Sequence, residues 1–220
     1  MQLIGMLDSP YVRRVAIALQ LLDLPYDHSF LSVFRNVEEY RQINPLIKAP
    51  TLVCDNGEVL MDSTLILAYL ERLAGEKLAG ADSSLMSSFL MPQSIDDYQR
   101  ALRLIGLGLN ACDKSVQIVY ERELRPPEKQ HQPWQDRIRF QLRAAYHLLE
   151  SYAADASEWL VGDRLTQADI TVCVAWQFTQ FTSPSVIESQ DYPALSALSA
   201  RAEALPAFVA TPLELDWKPN

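Results

Sequence analysis

Apolar positions change their period a third of the way along the chain. Leu3-Ile-Gly-Met-Leu7 predicts a short buried strand, which Asp8-Ser9-Pro10 stops. Val12, Val15, Ala16, Leu19 and Leu22 then continue at helical spacing, with Arg13, Arg14 and Gln20 on the other side. Ser9 is a natural N-cap for that helix, and Pro10 its first residue, where a missing N–H leaves nothing unsatisfied. Leu24-Pro25 ends the helix, and Tyr26 to Val33 predicts a second strand, parallel to the first through a right-handed crossover. A short polar helix over Val37–Ile43 leads into the Asn44-Pro45 break. Thr51–Cys54 and Glu58–Met61 flank Asn56-Gly57, the signature of a hairpin with a two-residue type I′ turn. Pro50 belongs at a strand start or edge, because it cannot donate to a ladder; the sequence by itself gives no reason to make Ala49–Pro50 cis. After Asp62-Ser63, Ile66, Tyr69, Leu70 and Leu73 mark one face of a third helix. The first 75 residues thus predict a mixed sheet with helices on both faces.

Small and polar residues fill the expected linker, 76–84, and beyond it the strand signals vanish. A domain over 85–220 is predicted to be helical throughout. A long helix over Asp96–Glu123 carries Leu102, Ile105, Leu109, Cys112, Val116 and Val119 on one stripe, with Gly106 and Gly108 inside it. A second spans Trp134–Tyr152, with Ile138, Leu142, Ala145, Leu149 and Tyr152 inward. Thr166 with Asp169 has the form of a capping box, and Leu165 with Ile170 that of a hydrophobic staple. The following helix, Ile170–Phe181, is apolar almost all round and predicts the core of this domain. Tyr192–Leu205 gives one more helix before Pro206 and Pro212 break up a tail that ends near Trp217.

Composition narrows the function classes. A net charge of −9 disfavours nucleic acid or an anionic membrane as partner, since both want a basic face. No apolar run approaches the length of a membrane span, and Asp8 interrupts the first one too early for a secretory leader. Cys54, Cys112 and Cys173 form no CxxC, and with three scattered histidines no metal is expected. Each cysteine is expected to be a buried small hydrophobe in a cytoplasmic protein. Candidate chemistry lies at Asp62-Ser63. A helix N-terminus holds carboxylates, Ser63 can donate to one, and Asp62 can accept from an ammonium, which suits a small zwitterion. The bland alternative is that both residues only cap the helix.

Ser9-Pro10 at a helix start, the Asn44-Pro45…Lys48-Ala49-Pro50 loop, Asp62-Ser63 at the third helix and the capping box occur in an order that resembles the glutathione S-transferase superfamily. The similarity covers essentially the whole chain, and Ser9-Pro10-Tyr11-Val12-Arg13-Arg14-Val15 looks like its serine-type bacterial members. The resemblance implies an α/β thioredoxin-like N-terminal domain (βαβ-α-ββα) over 1–75, followed by the all-α domain, with Ala49–Pro50 cis. It implies glutathione as co-substrate, held by the Ala49 main chain at its cysteinyl part, by Asp62 and Ser63 at its γ-glutamyl end, and by Lys48 at its glycyl carboxylate. Ser9 becomes the catalytic hydroxyl that lowers the thiol pKa from about 8.5. A small hydrophobic electrophile would be the second substrate, in a pocket lined by Tyr11, Tyr98 and Leu102. A homodimer is implied too. The chain departs from the family at Asp62 for the usual Glu, Ile47 for Gly and Ala49 for Val. No cysteine stands at positions 8–10, which disfavours a thiol transferase, and the Ser-Ser-Cys signature of maleylacetoacetate isomerases is absent. The competing expectation is a non-enzymatic protein that keeps the fold for binding or regulation.

Overall fold

The computed structural model describes residues 1–78 and 89–213. The chain divides into two compact units. The first is built on four strands: β1 (Gln2–Ile4), β2 (Asp27–Ser29), β3 (Thr51–Val53) and β4 (Val59–Met61). They lie in the order β2-β1-β3-β4, with β2 parallel to β1 and the other two pairings antiparallel. Helices α1 (Pro10–Leu21), α2 (Val37–Ile43) and α3 (Ser63–Leu78) complete a thioredoxin-like domain. The strands are shorter than the apolar runs that predict them, because Gly5 at φ +138° turns the chain out of β1 and residues 30–36 leave β2 as a loop.

Alternation splits the strand side chains between two layers. Ile4, Leu31 and Tyr40 of α2 form a buried cluster on one face, edged by Val33, Ile43, Ile47, Ala49 and Val53. Leu3 and Leu52, opposite one another in register, point the other way and are fully buried; the packed pair α1 and α3 supplies that layer. The β3–β4 turn is not type I′. Asn56 has no positive φ; Gly57 does, at +84°. The Gly57 N–H donates to the Cys54 carbonyl at 2.9 Å, and the Cys54 N–H donates to Glu58 O at 2.8 Å. Asp55-Asn56 therefore make the turn and Gly57 follows as the left-handed residue of a three-residue loop, an arrangement in which one positive φ suffices.

Arg13 and Arg14 do not face solvent; both are 1% exposed. Arg13 Nε donates to the Thr211 carbonyl at 2.8 Å and its guanidinium lies over the Phe208 ring. A short helix, α8 (Pro206–Val209), and the turn after it therefore belong to the first unit, far in sequence from the rest. That unit also runs beyond residue 75. Residues 76–78 continue α3, Phe89 packs against Gly75, and the Glu71 carboxylate accepts from the Leu90 and Met91 N–H groups. The rest of the expected linker, 79–84, and the end of the tail, 214–217, lie outside the described residues.

The second unit, from Pro92 to Leu205, holds α4 (Ile95–Glu123), α5 (Gln132–Ala154), α6 (Gln167–Thr182) and α7 (Pro193–Glu203). Helix α6 is buried along most of its length, as its all-round apolar pattern predicts. The capping box forms with both reciprocal bonds although its third residue is Asp169 rather than Glu. The buried side of α4 is Ala101, Leu104, Ile105, Gly108, Ala111, Cys112, Ser115 and Val119. Leu102 lies off it, and the predicted stripe is rotated: Gly108, not Leu109, faces the Thr171 main chain, where a side chain would crowd α6. All three cysteines are buried and free. Among the described residues no helix is long and apolar enough to cross a membrane.

Two glycines test this construction. A Cβ at Gly57 meets nothing, so Gly57→Ala should lower stability by only the backbone penalty of a left-handed residue, about 1–2 kcal/mol. A Cβ at Gly5 falls 2.6 Å from Val12 Cγ2 and 3.3 Å from Ala49 Cβ, so Gly5→Ala adds an overpacking term of roughly 1–3 kcal/mol. Urea unfolding should rank Gly5→Ala well below Gly57→Ala; equal losses would contradict the close approach of α1 and the Ala49 loop.

Candidate functional site

Sheet register carries three distant segments to one end of the first unit. Ile4 lies opposite Thr51, and Thr51 opposite Met61. The chain leaves this row after β1 through the Gly5–Ser9 turn and enters it before β3 through Lys48-Ala49-Pro50. It leaves again after β4 into Asp62-Ser63. Ser9, Lys48, Ala49, Asp62 and Ser63 therefore cluster at one edge of the sheet.

Ser9 occupies the N-cap position of α1 by its backbone (φ −77°, ψ 120°), yet its side chain makes no capping bond. Its main chain does the work instead: the carbonyl accepts from Arg13 N–H at 2.9 Å and the N–H donates to Met6 O at 3.1 Å. This corrects the expected hydroxyl cap and has a chemical consequence. Among the described residues a half-buried hydroxyl stands uncommitted at the positive end of a 12-residue helix, the place where an anion is most favoured.

The Ala49–Pro50 bond is cis. Neither polar main-chain group of Ala49 enters a hydrogen bond among the described residues, so both can serve an extended ligand. Ile47, in the preceding turn, has φ +48°, the left-handed region that a glycine enters without penalty. The loop keeps a glycine-like backbone with a β-branched residue in it. Its position is fixed by the Ile47 N–H on Asn44 O at 2.9 Å and by the Ile47 side chain against the Tyr40 cluster.

Asp62 is also left-handed, at φ +71°. Its Oδ1 accepts from the Thr64 N–H at 2.9 Å, so it does cap α3, and Oδ2 lies 3.7 Å from Lys48 Nζ. Capping uses one carboxylate oxygen and leaves the other for a cation. Ser63 is buried, and its Oγ accepts from the Arg14 guanidinium at 3.2 Å. Because the guanidinium can only donate, the Ser63 proton is left to point at another acceptor. Arg14 also reaches Thr64 Oγ1 at 3.4 Å, which ties α1 to the start of α3.

Tyr11 is half-buried at the second position of α1. Tyr98 and Leu102, one turn apart on α4, are 39% and 50% exposed. Their side chains are open on the surface of the second unit.

Sequence reasoning missed four residues behind this edge: Arg14, Tyr40, Asn44 and Thr51, all buried. For Arg14 the signal was present. A helix whose remaining side chains are nearly all apolar has no solvent face to give its arginines. For Tyr40 burial pushes the phenol pKa up, with the Thr51 hydrogen bond acting the other way, so it is a neutral hydroxyl.

The family model for the glutathione S-transferase N-terminal domain matches residues 3–78, and that for the glutathione S-transferase C-terminal domain matches residues 112–206. A glutathione transferase family member from Pseudomonas fluorescens Pf-5, solved with bound glutathione, is 30% identical; the match covers 97% of this chain and 99% of that one, with a TM-score of 0.79. A glutathione S-transferase from Methylobacterium radiotolerans, in complex with glutathione sulfonate, is 27% identical over 100% of this chain and 98% of that one, with a TM-score of 0.86. A probable maleylacetoacetate isomerase of Drosophila melanogaster is 25% identical over 90% of this chain and 81% of its own length.

The uncommitted Ser9 hydroxyl has a measurable signature in stability. Ser94 caps α4 with its side chain on the Asp97 N–H, and Ser94→Ala should lower stability by about 1 kcal/mol. Ser9→Ala removes no such bond and should stay within about 0.5 kcal/mol of wild type. Thermal unfolding reads both; a loss at Ser9 as large as at Ser94 would make the hydroxyl a cap after all.

Proposed function

Because this chain belongs to the glutathione S-transferase superfamily, we propose that it is a serine-type glutathione transferase acting on a small hydrophobic electrophile. The observation that carries the proposal is the register row that gathers Ser9, Lys48, Ala49, Asp62 and Ser63 at one sheet edge, with the Ser9 hydroxyl uncommitted. Glutathione lies along that edge as an extended peptide. Its cysteinyl N–H and C=O pair with the Ala49 main chain. Its γ-glutamyl carboxylate takes the Ser63 hydroxyl and the N-terminal amides of α3, and its ammonium meets Asp62 Oδ2. Lys48 exchanges its Asp62 contact for the glycyl carboxylate.

Ser9 donates a hydrogen bond to the cysteinyl sulfur while the thiol proton passes to solvent, and the dipole of α1 adds to the preference for an anion. A drop of about two units in thiol pKa raises the thiolate fraction near neutral pH by more than tenfold and corresponds to roughly 2.7 kcal/mol. The thiolate attacks an electrophilic carbon; a C–S bond forms and the leaving group departs with the bonding pair. Attack on a peroxide oxygen instead would release the alcohol, and a second glutathione would then give the disulfide and water. Tyr11, Tyr98 and Leu102 are our choices for the electrophile's lining. Assembly as a homodimer in the cytoplasm belongs to the same proposal.

Calorimetry with glutathione, combined with turnover of a chromogenic aryl halide, tests this reading. Ser63→Ala should weaken glutathione binding by about tenfold, one hydrogen bond to a charged group. Ser9→Ala should bind within about twofold of wild type and lose roughly tenfold to a hundredfold in turnover. Tight binding without turnover would favour the non-enzymatic alternative for that substrate type. Wild type that does not bind glutathione would overturn the proposal as a whole.

A further inference from the structure

The Lys48 carbonyl points into the first unit, where it accepts from the Thr51 hydroxyl at 2.8 Å and from the Tyr40 hydroxyl at 3.1 Å. Thr51 Oγ1 in turn accepts from Asn44 Nδ2 at 2.8 Å and lies 3.2 Å from the Tyr40 oxygen. Thr51 and Tyr40 are wholly buried and Asn44 is 1% exposed.

The direction of this network is fixed. Asn44 Oδ1 already accepts from the Leu46 N–H at 3.0 Å, so its amide nitrogen faces Thr51 and can only donate. The single Thr51 proton goes to the Lys48 carbonyl, nearer at 2.8 Å than the Tyr40 oxygen at 3.2 Å, and Asn44 to Thr51 to Lys48 is a relay of donors. Tyr40, on α2, gives its own single proton to the same Lys48 carbonyl and so holds it from a second side.

Ala49–Pro50 is the one cis bond among the described residues, so the Lys48–Ala49 peptide is trans. In a trans peptide the C=O and N–H point in opposite directions. Holding the Lys48 carbonyl inward turns the Ala49 N–H outward, at the edge where no group among the described residues takes it. We propose that Thr51, backed by Asn44 and Tyr40, is a positioning residue that aims the Ala49 main chain at the peptide ligand. The inference rests on the glutathione reading and adds to it the buried groups that set the approach. None of the three touches the ligand.

Substitutions at one position separate aiming from simple stability. Thr51→Ser keeps the hydroxyl and loses a methyl; Thr51→Val keeps the shape and loses the proton. Both should lower the thermal midpoint. Thr179→Val, which removes an equally buried hydroxyl from the second unit, should lower it too. By calorimetry, glutathione should bind Thr51→Ser and Thr179→Val within about twofold of wild type, and Thr51→Val about tenfold more weakly. Tyr40→Phe, a milder change should Thr51→Val fail to fold, should bind about threefold more weakly. If wild type binds and both Thr51→Val and Tyr40→Phe bind as wild type does, the aiming role is wrong and the network is only structural. Equal weakening in Thr51→Ser and Thr51→Val would likewise overturn it. If wild type itself does not bind, the glutathione reading fails first, and this inference falls with it.

Discussion

Two guanidinium groups buried on α1 constrain how the first unit is put together. A charge taken out of water needs acceptors or a compensating partner, and removing those partners is strongly destabilising. Arg13 finds the Thr211 carbonyl and the Phe208 ring, so the chain must return after the helical unit to finish the first. Arg14 finds the hydroxyls of Ser63 and Thr64, so α1 and the start of α3 are held together. The helix that presents Ser9 and the helix that presents Asp62-Ser63 are thereby parts of one construction. The same bond that Arg14 makes to Ser63 decides that Ser63 offers a proton outward.

On that frame the sheet register does the gathering, and the loops at its end carry the chemistry. Two of them hold non-glycine residues in the left-handed region, Ile47 and Asp62, at about 1–2 kcal/mol each. Such backbones persist where the surroundings over-determine them. Around Ile47 these are the Asn44 bonds and the packing on Tyr40. Around Asp62 they are the Thr64 cap and the Lys48 ion pair. The departures from family pattern at positions 47 and 62 thus leave the backbone path of the site in place.

Much of the fold is legible in the sequence because local signals and tertiary needs agree. Helix α2 occupies Val37–Ile43 as its pattern predicts, the parallel β1–β2 pair and the β3–β4 hairpin make the expected mixed sheet, and Thr166 with Asp169 makes the capping box. What periodicity misread are places where polar groups are drawn inward by specific partners. Arg13 and Arg14 read as a solvent face although the apolar remainder of α1 argues for burial, because their partners Thr211 and Ser63 are distant in sequence. Leu102 reads as core because the stripe on α4 is set by the small residues Gly108 and Ala111 against α6, and these contribute little to an apolar pattern. The hairpin turn follows Asp55-Asn56 rather than Asn56-Gly57, since the ladder bond of Cys54 to Glu58 fixes a longer loop. Asp62-Ser63 is legible from helix-terminus chemistry, whereas Ser9, Lys48 and Ala49 are legible as site residues only through resemblance. Ser9 alone reads as an ordinary cap, and it is the structure that leaves its hydroxyl unused.

The central claim is that this hydroxyl, at the positive end of α1, stabilises a thiolate. The most direct measurement is a pH titration of the thiolate ultraviolet absorbance of glutathione bound to wild type and to Ser9→Ala. The account predicts a midpoint about two units below that of the free thiol for wild type, moving back toward the free value in the variant. Coincident titrations of the two proteins, or a wild-type midpoint equal to that of free glutathione, would contradict it.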